Sequence, residues 1–251
     1  MGLAARQGHS RELFQESLDI VLWLWNNDKF SYQGKHWQLD DVECHPRPLQ
    51  KPVPIHVAAI SPETFGMVAA NNLNIIQAAT LMPLNELKAF CLDAKRKLML
   101  NGHAPESLDF PLLWITHVAS SFTAGKQRSA GALKWYFDTL LSLVAQGAKS
   151  PKSYEAFAAA ADAYHEAGGF PLETLNESGN LILGTPEFAA QRMAEVRNDM
   201  GQQEVILWMQ VGGLDDQHVR DSMRPFAEEG MPRFKGQPPV VPAALRNARV
   251  A

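Results

Sequence analysis

The sequence predicts an α/β fold in which a parallel sheet is covered by helices, and three observations carry that prediction. Short apolar runs alternate with amphipathic stretches along most of the 251 residues. One run, residues 55–59, is β-rich, lacks polar alternation as a strand buried on both faces should, and opens directly into a helix start at Ser61-Pro62-Glu63. A second opening of the same form, Thr185-Pro186-Glu187, places a hydroxyl cap before a first-turn proline. A chain of this length can complete a (β/α)8 barrel, for which about 250 residues is typical. Only about four barrel-type strands are legible, so strands are hidden or the barrel is incomplete.

The elements follow in order. Residues 10–27 begin at a serine cap and set Leu13, Phe14, Leu18, Val21, Leu22 and Trp25 at helical spacing. Residues 30–32 and 36–39 flank Gln33-Gly34-Lys35 and read as a hairpin, after which four prolines carry an extended arm into the strand at 55–59. A helix at 62–71, a strand at 74–79 and a helix at 83–101 come next. A third strand at 110–119 leads into a long helix that includes 133–144, then an Ala-rich helix at 153–167 that Gly168-Gly169 breaks. Residues 170–182 read as a loop. A helix from Thr185 to about Asn198, a strand at 204–211 and a helix at 217–229 complete the domain, assigned to 1–234. The Pro-rich segment 235–251 reads as a mobile or surface-draped tail.

Composition narrows the function. Hydrophobic residues at 46% exclude disorder as the main state, and a formal charge of -4 with interspersed signs offers no basic stripe for nucleic acid. No apolar run is long enough for a membrane span, and no signal peptide is legible, so the expected compartment is the cytoplasm. Cys44 and Cys91 lack the spacing of a metal knuckle or redox pair and read as free thiols.

Candidate chemistry is sparse. The strand ending in Ala58-Ala59 before a capped helix can hold a phosphate, although an ordinary βα junction has the same pattern. His36, His45 and His56 match no compact ligand motif, so no metal site is expected. His117 lies within the third strand, and strand ends in barrels carry catalytic groups, but the favoured reading is a hydrogen-bonded core or surface histidine. Trp114 and Trp208 read as core or pocket wall, and Cys91 as packing. The turn at 184–187 reads as a helix cap or a second anion site. No Gly-x-Gly-x-x-Gly and no Ser/His/Asp set is present.

Six ordered segments carry a further signal: RELFQESLDI at 11–20, FSYQGKHW at 30–37, HPRPLQKP at 45–52, VAAISPETF at 57–65, GTPE at 184–187, and SMRPFA with MPRF at 222–234. With them the chain resembles the bacterial luciferase-like flavin-dependent monooxygenases, from Arg11 to Phe234, and is similar to the C-terminal part of a member. The resemblance implies a TIM-barrel-like fold, here an incomplete C-terminal half with a hairpin and a helical insertion. It implies reduced FMN, or F420 in its place, with O2 and a small organic substrate, and a separate flavin reductase. Carried onto this sequence, the flavin contacts fall on Val57, Ala58, Ala59, Ser61, Thr64 and Ile76, with the Ser61 and Thr64 hydroxyls on the phosphate. Catalytic residues are not assigned, because the family's first four strands, with the usual active-site histidine, have no counterpart here. Open strand edges at 55–59 and 205–211 are expected to drive association of like copies or pairing with another chain. The chain then reads as an oxygenase, or as a truncated, non-enzymatic remnant or subunit.

Overall fold

A computed structural model describes residues 10–58, 68, 71, 73–80, 82–146 and 155–246. The chain divides into two compact units, Met1–Pro54 and Ile55–Ala251.

In the first unit, helix α1 (Ser10–Asn26) accompanies an antiparallel hairpin of β1 (Phe30–Gln33) and β2 (Gln38–Val42). Its anchor is Glu16, which is 8% exposed and whose carboxylate accepts the amides of His36 at 3.1 Å and Trp37 at 2.9 Å. A charged acceptor for two turn amides makes a strong bond pair and holds the hairpin turn on the helix. Gly34 is required there, because a Cβ would lie 1.9 Å from the Glu16 carboxylate.

The second unit is the α/β body. It contains the parallel strands β3 (His56–Ala58), β4 (Asn74–Ala78), β5 (Leu112–Val118), β6 (Ile182–Gly184) and β7 (Val205–Trp208). Its helices are α2 (Leu84–Leu100), α3 (Phe122–Gln146), α4 (Glu155–Ala167), α5 (Leu172–Glu177), α6 (Pro186–Met200), α7 (Asp216–Pro225) and α8 (Ala243–Arg246). β3 pairs β4, and β5 pairs β4, β6 and β7. The carbonyls of Asp109, Pro111 and Leu113 accept from β4 and its C-terminal flank, and the Ala119 amide donates to Gly184 of β6. These are alternate residues, so β4 and β6 share one edge of β5, end to end, and β7 takes the other. Beyond β7 on that second edge, the Val118 amide donates to Ser222 Oγ at 2.7 Å from α7.

Register separates two faces. Val57 pairs Ile75, Gln77 pairs Leu112, and Trp114 pairs Leu207; the first five of these residues are buried. Trp114 is fully buried and donates its indole N–H to the Gly179 carbonyl at 2.7 Å, satisfying the ring's polar atom. Residues on the other face are Ala58 with Ile76, Ala78 with Leu113, and Leu113 with Ile206, all partly or fully exposed. Toward the C-terminal end of β5 this second face is covered: Ile115, Leu181, Leu183 and Val211 pack with Leu133, Phe137 and Leu141 of α3 and with Ala161 and Tyr164 of α4. The Tyr164 hydroxyl donates to Asp138 at 2.6 Å, tying the two helices.

Several sequence expectations shift. The expected loop at 170–182 contains α5, and strand β6 begins at its end; neither six helical nor three strand residues are long enough to show a period. Five parallel strands are therefore present among the described residues, one of which the sequence concealed. The last strand is shorter than 204–211, and the following helix stops at Pro225 before a wider turn at Phe226–Gly230. The tail is draped rather than loose as far as it is described: Arg197 donates to the Pro238 carbonyl, and Leu245 of α8 is 1% exposed. The expected helix at 62–71 falls outside the described residues except Val68, which is helical and buried, and Asn71.

Replacing Ser222 with alanine leaves the Val118 N–H buried without its acceptor, which costs about 1–3 kcal/mol. Urea titration of Ser222→Ala should show a lower midpoint with an unchanged slope, and an unaltered midpoint would count against this pairing.

Candidate functional site

Because β3, β4, β5 and β6 run parallel, their carboxyl ends point one way as a stepped rim, β4 ending opposite Leu113 and β6 further along, opposite Val118; this is the end at which parallel sheets place ligands. The rim is built from small residues. Ala58, Ala78, Ala119 and Gly184 end or follow the four strands, and none carries more than a methyl group. Backbone can therefore approach a flat ligand closely. Gly184 has φ 153°, a conformation that leads the chain from β6 into α6. Thr185 Oγ1 then accepts from the Phe188 amide at 3.1 Å, so the Gly-Thr-Pro-Glu turn caps its helix.

Of the expected flavin residues, Ala58 and Ile76 are register partners on the open face, in contact reach of each other across β3 and β4. Val57 points to the opposite, buried face beside Ile75, so only its backbone is available to the open face. Ala59, Ser61 and Thr64 lie outside the described residues.

His117, one turn of the pleat before the rim on β5, is 2% exposed, and neither ring nitrogen has a hydrogen-bond partner among the described residues. Burial pushes its pKa down to about 4, with Arg128 and His218 adding to the effect. The ring borders a cavity of about 10 Å³ with Thr116 and Ser129 on its wall, roughly one water in size. A neutral, enclosed imidazole is what this position supplies.

Other candidates resolve differently. His36 and His45 each lie against a carboxylate of the first unit, Glu12 at 3.3 Å and Glu43 at 3.2 Å. His56 instead joins Asp109 and Glu204 at the amino ends of the strands, with one potential ligand atom from each within 4.8 Å of the others. Sequence spacing did not reveal this trio, because its members come from three separate strands. Cys91 is fully buried and its thiol is pushed up to about 12 by burial, which removes it as a nucleophile; Cys44 is also free. Trp114 is core, and Trp208 is half-buried, edge-on to Tyr136 at 5.0 Å. A groove of about 660 Å³ beside β7, lined in part by Val205, Leu207, Phe226, Met231 and Phe234, was not foreseen. Its sequence signal is the aromatic and methionine content of the MPRF segment. No described helix is long and apolar enough to cross a membrane.

A parallel sheet with helices, small residues at its carboxyl ends and a partly open inner face defines a barrel-type α/β protein. The family model described as luciferase-like monooxygenase matches residues 2–204, and the chain belongs to that family. Solved structures share the fold. The monooxygenase RslO1 from Streptomyces bottropensis is 18% identical with a TM-score of 0.69, covering 90% of this chain and 62% of its own. The oxygenating constituent of 3,6-diketocamphane monooxygenase from Pseudomonas putida, solved with FMN, is 17% identical with a TM-score of 0.55, covering 87% and 60%. The coenzyme F420 dependent tetrahydromethanopterin reductase from Methanopyrus kandleri is 12% identical with a TM-score of 0.58, covering 88% and 63%. The chain thus spans less than two thirds of each, and its fold is an incomplete luciferase-like barrel. No curated protein matches it significantly in sequence.

The depressed pKa of His117 fixes a pH dependence. The unfolded chain binds a proton near the ordinary value of 6.5 and the folded one near 4, so stability is full above 6.5 and falls as pH drops toward 4. The loss is on the order of 3 kcal/mol, at 1.36 kcal/mol per unit. Urea unfolding from pH 7 to 4 should show a steeper decline for the native chain than for His117→Leu; parallel curves would contradict the burial of a neutral ring.

Proposed function

We propose that this chain is the flavin-holding part of an oxidoreductase that uses reduced FMN and O2 on a small organic substrate, with F420 as the alternative cofactor. The observation that supports this reading most is the register pair of Ala58 and Ile76 at the small-residue rim, in a chain of the luciferase-like family. Ala58 leaves room for the isoalloxazine plane, Ile76 packs against its apolar edge, and the backbone of Val57 runs alongside, with Ala59 next in the sequence. Ser61 and Thr64, which follow β3 in the sequence, supply hydroxyls to hydrogen-bond the phosphate. When bound, the reduced flavin supplies the electrons that oxygen chemistry requires. A separate reductase delivers it, in the cytoplasm. The enclosed His117 contributes no proton at neutral pH; its ring holds the apolar floor beneath α3.

A second reading, a non-enzymatic subunit that associates through its strand edges, is favoured by the outer edges of β3 and β7, which have no ladder partner among the described residues.

Titration of the chain with FMN, followed by quenching of flavin fluorescence, should saturate at one flavin per site. Ser61→Ala should weaken binding about tenfold, equivalent to about 1.4 kcal/mol. Ala58→Leu, which places a branched side chain where the ring would lie, should abolish it. Binding that ignores both substitutions, or no binding at all, would overturn the flavin reading.

A further inference from the structure

His56 at the start of β3, Asp109 before β5 and Glu204 before β7 stand on one face of the sheet. His56 alternates with Ala58 and Glu204 with Ile206, so both side chains share the open face. The carbonyls of Asp109, Pro111 and Leu113 form one ladder toward β4, which puts Asp109 on that face as well. In a flat sheet, β3 and β7 would be separated by about 14 Å, with β4 and β5 between them. Here one potential ligand atom from each of the three residues lies within 4.8 Å of the others, so the sheet is curved toward this face and its amino end draws them together.

We propose that this trio binds one divalent transition-metal ion, zinc being the ion its donors suit best, and that the ion ties the amino ends of β3, β5 and β7 together. One imidazole nitrogen and two carboxylate oxygens are donors that zinc takes from proteins, and the two carboxylates balance its charge. Bonds of about 2.0–2.2 Å around a tetrahedral ion set its ligands about 3.4 Å apart. His56 and Glu204 are exposed, so rotation of their side chains closes the remaining gap. A fourth position is left to water.

The surroundings prepare the site. Asp109 Oδ1 accepts the amides of Phe110 at 2.8 Å and Gln203 at 3.2 Å, and the Asp109 amide donates to Asn74 Oδ1 at 3.0 Å. The carboxylate is thereby aimed with its second oxygen free, as outer partners of metal ligands do. The His56 ring and the Glu204 carboxylate have no hydrogen bond or ion pair among the described residues. Lys95 is in electrostatic reach of Asp109, but its ammonium donates to the Pro105 and Leu108 carbonyls instead. Two carboxylates this close repel each other unless a cation lies between them. The site is at the amino ends of the strands and does not depend on the flavin reading.

Calorimetric titration of the metal-free full chain with zinc, in the absence of flavin, tests this. A Cys44→Ser background removes the competing thiol between Glu43 and His45. The expected result is one zinc per chain and an unfolding temperature that rises with zinc, because the ion binds the folded chain. His56→Ala and Glu204→Gln, both at exposed positions, should keep the far-ultraviolet circular dichroism of the parent. Each should weaken binding about 100-fold or more, since even outer partners of a ligand are worth about 10–100-fold. His103→Ala, an exposed histidine outside the trio, should bind as the parent does. Cobalt in place of zinc should give a visible absorption band that His56→Ala and Glu204→Gln lose. No binding at millimolar zinc, or equal binding by the parent and those two variants, would overturn the proposal.

Discussion

Everything in the α/β body depends on β5 being bonded along both edges. Its odd-numbered backbone groups serve β4 and then β6, and its even-numbered groups serve β7 and finally Ser222. A strand in this position can present no unpaired amide without a cost of about 1–3 kcal/mol, which explains why a helix side chain completes the edge where β7 ends. The same strand sets the levels of the others. Register on β5 decides that Gln77, Leu112 and Trp114 are buried together and that Ala78, Leu113 and Ile206 are not.

This division of faces is also what makes a ligand mouth. The face that is not packed under helices carries small or medium apolar residues, and its carboxyl end is rimmed by alanines and a glycine. The helices α3 and α4 cover the part of that face near β6 and enclose His117, leaving the portion at β3 and β4 open. The polar trio His56, Asp109 and Glu204 lies at the opposite, amino ends of the strands.

Much of this was legible before the fold was seen. The helix read at 10–27 declared itself by periodicity and the one read from Thr185 to about Asn198 by its Thr-Pro-Glu cap, whose hydroxyl accepts the Phe188 amide; a helix was also read at 83–101, and all three are present, at Ser10–Asn26, Pro186–Met200 and Leu84–Leu100. The strands at 56–58, 74–78 and 112–118 were visible as short β-rich runs between helices. What stayed hidden was short or non-local. α5 and β6 are below the length at which a period can be read, and the convergence of His56, Asp109 and Glu204 depends on sheet curvature rather than spacing. The orientation of Val57 was unreadable for a related reason: a strand without polar alternation does not announce which of its faces is open. The burial of His117 needed α3 to fold back over β5 and β6, a packing that no local pattern in the sequence declares.

The account's central claim is that the carboxyl-end rim at β3 and β4 is the ligand end of the sheet. Amide chemical shifts of isotope-labelled protein, recorded with and without FMN, test it most directly. The account predicts perturbations concentrated at Ala58, Ile76, Ala78 and the segment that follows β3, with His56, Asp109 and Glu204 unmoved. Perturbations centred on those three residues, or on the groove beside β7, would contradict it.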